Sequence, residues 1–94
     1  RSSDLLSGVN IKNGYLFNSS LRNVDLSNSY LSSINLSGSY LSKTNFYKAN
    51  LEGANLSYST CVNTIFKNAN MIKIRLDETN LYNSNFYKAN PFKI

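Results

Sequence analysis

The sequence predicts an all-β solenoid, a square β-helix of between four and five coils, and two observations carry the prediction. Every fifth residue from Leu6 to Phe86 is Leu, Ile, Phe, Met or Cys, and the residue two before each, from Val9 to Ala89, is small or β-branched. The hexapeptide NFYKAN at residues 45–50 returns at 85–90, with a looser copy, IFKNAN, at 65–70, so the copies recur at twenty residues, or four beats. On an α-helix a five-residue period spirals round every face and buries none. On a long strand the alternation of two sends successive repeats to opposite faces. A short strand segment followed by a corner keeps both apolar registers inside. Four corners then close a twenty-residue coil, and the next coil stacks on it at about 4.8 Å through parallel pairing. Each coil buries its apolar edge only against its neighbours, as in other repeat proteins.

Taken in order, residues 1–5 precede the beat as a lead-in or cap, because Asp4 stands in a slot that should be inward and small. Residues 6–90 form the solenoid. Up to Leu41 the outward slots hold Ser, Asn and Gly, with Lys12, Arg22 and Asp25 among them. Asn suits corners because it tolerates left-handed backbone and bonds its own chain as an Asx-turn. From Phe46 onward the exterior gains Tyr and Lys, and no insertion breaks the beat, so no protruding loop is expected to carry a site. Residues 91–94 end the register. Pro91 takes the place of the next central apolar residue and lacks an N–H, so the ladder should stop there. Phe92 and Ile94 then serve either as an end cap over Leu81 and Phe86 or as a contact to a second copy.

The runs Ala49-Asn50-Leu51-Glu52-Gly53 and Ala54-Asn55-Leu56-Ser57-Tyr58 carry the pattern small, Asn or Asp, Leu or Phe, then two polar residues, which resembles the pentapeptide-repeat family over nearly the whole chain. The resemblance implies that family's right-handed quadrilateral β-helix. It implies a binding rod within a larger bacterial protein or a secreted effector, and a homodimer through the C-terminal end, as relatives form. It also brings in the topoisomerase-binding members that imitate DNA. Those rods need rows of negative charge, whereas this chain carries ten Lys and Arg against five Asp and Glu.

Catalytic chemistry has little to work with. The 94 residues include no His, one Cys and scattered acids, of which Asp77 and Glu78 form the only adjacent pair, beside Arg75. No Cys, His and Asp cluster has metal-ligand spacing, and no Gly-rich loop opens a helix to cradle phosphate. The chain is therefore expected to be non-enzymatic, without cofactor or metal. Cys61 falls in the central register, where it reads as a buried substitute for Leu; a reactive thiol would need an open, basic neighbourhood. A single cysteine makes no internal disulfide. No signal peptide or membrane-length apolar run occurs, which favours a cytoplasmic setting, with a secreted fragment as the alternative. The chain opens on Arg1 rather than Met, which fits a processed product or a fragment. The sequons at Asn18, Asn35 and Asn55 are expected by chance in so Asn- and Ser-rich a repeat.

What remains is surface. Twenty-residue stacking places Tyr47, Lys67 and Tyr87 in one outward column with Lys48 and Lys88 beside it. On a chain of net charge +5, this stripe reads as an interaction surface for a protein partner. It reads alternatively as a weak, salt-sensitive site for nucleic acid or another anionic surface, or as a solvated face whose Tyr and Lys neighbours merely support the ladder.

Overall fold

The computed structural model describes residues 5–91. Every β-bridge among them is parallel and joins residues twenty apart, from Leu5–Asp25 to Asn70–Asn90, and none of these residues is helical. The bridges fall into four ladders, one for each side of a four-sided coil. Side one is centred on Leu6, Leu26, Phe46, Phe66 and Phe86; side two on Ile11, Leu31, Leu51 and Met71. Side three is centred on Leu16, Leu36, Leu56 and Leu76, and side four on Leu21, Leu41, Cys61 and Leu81. The result is a rod of 36 × 24 × 23 Å.

The partners of the five backbone N–H groups in each repeat explain the residue pattern. The central residue donates to the coil that follows, as Leu31 does to the Asn50 carbonyl at 2.8 Å. Two residues on, Ser33 donates to the Glu52 carbonyl at 2.8 Å. The residue before the centre donates to the coil that precedes, as Asn50 does to the Ser29 carbonyl at 2.9 Å. The small residue closes the corner, as Ile34 does to the Leu31 carbonyl at 3.2 Å. Only the N–H just after the centre is left, and where the residue two before it is Asn or Asp that side chain accepts it. Asn45 takes it from Tyr47 at 2.9 Å, Asn35 from Ser37 at 3.0 Å and Asp25 from Ser27 at 2.9 Å. Since an unpaired backbone donor is costly, the preference for Asn or Asp before the centre is this bond.

The corners use Asn differently. Every fifth residue from Gly8 to Lys88 has positive φ, from 55° at Glu78 to 76° at Gly8, at the third residue of the four-residue turn. With the i-to-i+3 bond, this is the sign pattern of a type II turn. Gly8, Gly38 and Gly53 take the conformation without penalty, and Asn13, Asn18, Asn23, Asn28, Asn63, Asn68 and Asn83 take it readily. Ser33, Lys43, Lys48, Tyr58, Lys73, Glu78 and Lys88 are held there by the ladder. Left-handed backbone costs an ordinary L-residue about 1–2 kcal/mol. Lys73→Asn and Glu78→Asn should therefore each stabilise the protein by about 1 kcal/mol, read as a higher urea midpoint with an unchanged slope.

Both apolar registers point inward. Leu26, Leu31, Leu36, Leu41, Phe46, Leu51, Leu56, Cys61 and Phe66 are at most 1% exposed, and so are the smaller Ala49, Ala54 and Ala69. Coils at either end of the described residues have a neighbour on one side only, and burial falls there: Leu16, Leu21, Leu76, Leu81 and Phe86 are half-buried and Leu6 is exposed. On side one the rings of Phe46, Phe66 and Phe86 stack at centroid separations of 5.3 and 5.1 Å, tilted by only 8° and 4°. Leu26 lies one coil above them in the same register.

Buried hydroxyls in the small register tie coil to coil. Thr44, Thr64 and Thr79 donate to the carbonyls of Leu21, Leu41 and Leu56 in the preceding coil, at 2.7, 2.6 and 2.9 Å. Ser39 goes further, donating to the Leu16 carbonyl at 3.1 Å while accepting the Ser19 N–H at 3.0 Å. One hydroxyl thus replaces the direct corner bond, and Ser84 does the same between the Cys61 carbonyl and the Thr64 N–H. The small size of this register suggests packing alone; its hydroxyls also satisfy carbonyls that would otherwise be buried with fewer partners.

Bridging stops at Asn90, and Pro91 is exposed beyond it. Phe92 and Ile94, expected as an end cap or dimer contact, lie outside the described residues, as do residues 1–4 of the lead-in.

Candidate interaction surface

The expected surface residues come together on side one. The Asn45 and Asn85 side chains accept the N–H groups of Tyr47 and Tyr87, each at 2.9 Å, and so fix where both tyrosines leave the chain. Backbone bonds hold the column between coils: Asn28 donates to the Tyr47 carbonyl at 2.8 Å, Lys48 to Lys67 at 3.1 Å and Asn68 to Tyr87 at 2.9 Å. Lys67 takes the middle coil, with its ammonium 5.9 Å from the Tyr47 ring centroid and 5.8 Å from that of Tyr87. Lys48 and Lys88, at the adjoining corner, place their ammoniums 5.3 and 5.4 Å from the same two rings. All four contacts fall within the roughly 6 Å reach of a cation–π attraction.

This geometry changes one expectation. Tyr47 and Lys67 are half-buried rather than exposed, while Tyr87, Lys48 and Lys88 are exposed. The alternation of ring and ammonium causes the difference, because each middle member covers the one beside it. Tyr87 has a ladder neighbour on one side only among the described residues and is 60% exposed.

A further cation–π contact lies on side four, where the Arg22 guanidinium sits 4.4 Å from the Tyr40 ring centroid. The sequence signal for it was a spacing of eighteen, one coil less two residues, which brings a residue after one centre onto the residue before the next. Tyr15 on side three, Tyr30 on side two and Tyr82 on side four are exposed as outward slots require, and so is Tyr58 at the corner after side three. The acids do not gather. Arg75 pairs with Asp77 at 2.9 Å on side three, both side chains well exposed, and no other salt bridge is present among the described residues. An exposed pair of this kind adds little stability.

Cys61 occupies the position of a buried Leu, with no exposed surface. Its sulfur lies 3.4 Å from the Ser59 hydroxyl, and burial pushes its pKa up from 9.0 to about 11, against a smaller lowering by that contact. Above about pH 9 the unfolded thiol loses its proton while the folded one keeps it, so the folded state weakens as pH rises from 9 towards 11. At neutral pH Cys61 should resist a thiol reagent in the folded protein and react at once in urea. Rapid labelling of the folded chain would place the thiol outside the core. The described residues contain no cluster of His, Cys, Asp and Glu able to hold a metal, no pocket, and no helix long and apolar enough to cross a membrane.

Comparison with known proteins agrees with this geometry. The family model for pentapeptide repeats matches residues 19–57 and 61–90 in 8 copies. A pentapeptide repeat protein from the thylakoid lumen of Arabidopsis thaliana is similar in structure, with a TM-score of 0.64 and 31% identity over 89% of this chain and 54% of its own. One from the cyanobacterium Cyanothece has 31% identity and a TM-score of 0.45 over 86% of this chain and 58% of its own. One from the cyanobacterium Nostoc, involved in heterocyst differentiation regulation, has 19% identity and a TM-score of 0.45 over 87% of this chain and 48% of its own. The chain thus spans about half the length of the solved structures it matches. No curated protein matches it. A twenty-residue parallel ladder, an inward apolar residue at every fifth position and a family model matched across most of its length place this chain in the pentapeptide repeat family.

Proposed function

We propose that this chain is a non-enzymatic interaction module: a right-handed quadrilateral β-helix of between four and five coils that offers flat sides to a protein partner. The observation that carries this reading is the outward ladder of Tyr47, Lys67 and Tyr87, held on three successive coils by backbone and Asn side-chain bonds. Such a surface is ordered before it meets anything, so a partner that binds it has little side-chain freedom to remove. The sequence has no His, and its one thiol is buried and protonated, so neither offers a nucleophile or base at the surface. The duplex-mimic role gains no support, because Asp25, Glu52, Asp77 and Glu78 lie on different sides or corners and form no row of charge.

The test uses one exposed tyrosine on each side. A photo-crosslinking amino acid is placed at Tyr87, Tyr30, Tyr15 or Tyr82, one position per variant, in the cells that make the protein. A single protein adduct from one side supports the module. Absence of adducts, or the same spread of adducts from all four sides, would overturn it.

A further inference from the structure

Side one carries cations that no described residue neutralises. Lys48, Lys67 and Lys88 make ring contacts but no ion pair among the described residues. The nearest acid on that side, Asp25, lies one coil above Tyr47 and has its Oδ1 on the Ser27 N–H at 2.9 Å. Glu52 belongs to side two, and Asp77 is paired with Arg75 on side three. Three ammoniums thus follow one another on three successive coils, at or beside side one.

We infer that this line is a docking track for an acidic segment of a protein partner, lying along the rod axis. The inference rests on the interaction-module reading and names the chemistry of its partner. Charge complementarity selects an anionic occupant, and the number of cations selects among anions. Tight, salt-sensitive binding to nucleic acid draws on roughly six to ten phosphate contacts, and polybasic attachment to acidic membranes on about four to eight Lys or Arg. Three ammoniums fall short of both and suffice for two or three carboxylates. The rings argue the same way. Single-stranded nucleic acid would stack its bases on aromatic faces, but Lys67 already occupies the space between Tyr47 and Tyr87. With coils about 4.8 Å apart, Lys48 and Lys88 are separated by about 10 Å along the axis. An extended peptide presents a side chain to one face about every 6.8 Å, and lysine stems are long and flexible enough to take up the mismatch.

The experiment titrates the intact chain with a fluorescent nonapeptide of alternating Glu and Ser. Its Gln/Ser counterpart, a ten-residue oligothymidylate and phosphatidylserine–phosphatidylcholine vesicles serve as competing probes. Two triple variants of equal charge are compared: Lys48→Gln/Lys67→Gln/Lys88→Gln on the track, and Lys12→Gln/Arg22→Gln/Lys73→Gln elsewhere. The expected result is saturable binding of the Glu/Ser peptide that weakens with salt, falls tenfold or more in the track variant and changes less than twofold in the other. Equal loss in both variants, no binding of the peptide, or tighter binding of the oligonucleotide or vesicles would overturn the inference. Should the track triple lose its fold, Lys48→Gln/Lys88→Gln, altered only at exposed corners, carries the same comparison. The two readings fail separately: adducts from Tyr30, Tyr15 or Tyr82 alone leave a module that uses another side, whereas no adducts at all remove the module whatever the peptide does.

Discussion

Phe66→Ala is expected to destabilise the protein by about 3–5 kcal/mol, as truncation of a buried aromatic residue does. Phe66 has no exposed surface and is the middle ring of the stack, 5.3 Å from Phe46 and 5.1 Å from Phe86. Its removal forfeits the transfer free energy of the ring and two aromatic contacts, each about 0.5–1.5 kcal/mol. It also leaves a gap that the coil has little means of closing. The carbonyl and N–H of the residue are both tied, with Phe66 N–H donating to the Asn85 carbonyl at 2.7 Å and Ala69 N–H donating back to the Phe66 carbonyl at 3.0 Å. A backbone fastened on both sides cannot sink into the space. Urea unfolding of the variant checks the figure, and a loss under about 1 kcal/mol would contradict the packing described. Phe86→Ala should cost less, because that ring is half-buried whereas Phe66 is fully enclosed.

Ala69→Leu is expected to cost about 1–3 kcal/mol by overpacking, and Ala69→Ser almost nothing. Ala69 is fully buried in the small register of side two, between Ala49 and Ala89 in the coils above and below. Three added carbons there would have to displace either neighbouring methyl groups or the Asn70 and Asn90 backbone bonds, at 2.9 Å each, that hold the coils at their spacing. A serine brings only an oxygen, in a register where Thr44, Thr64 and Thr79 already donate to the carbonyl twenty-three residues before them. For position 69 that acceptor is the Phe46 carbonyl. Thermal melting of the two variants side by side separates size from polarity. If Ser proved as harmful as Leu, the register would be excluding polarity rather than bulk.

The sequence by itself determined the period, the inward registers and the twenty-residue coil. One apolar residue in five, uninterrupted from Leu6 to Phe86, is compatible with no helix and no long strand, and the spacing of Phe46, Phe66 and Phe86 already implies their stack. Those features depend on the identity of single residues at fixed steps, which is what a sequence displays. The lateral contacts were decided only by the tertiary structure. Asn before a centre and Asn at a corner look alike in the chain, yet Asn45 accepts the Tyr47 N–H while Asn68 supplies a left-handed backbone. Ser39 reads as merely small until the fold sets it between the Leu16 carbonyl and the Ser19 N–H. Tyr47 and Lys67 read as exposed until the coil spacing lays ring against ammonium and half-buries both. In each case the deciding quantity is the direction of a side chain towards a neighbour about twenty residues away. That direction follows from backbone bonds and rotamers that exist only once the coils are stacked.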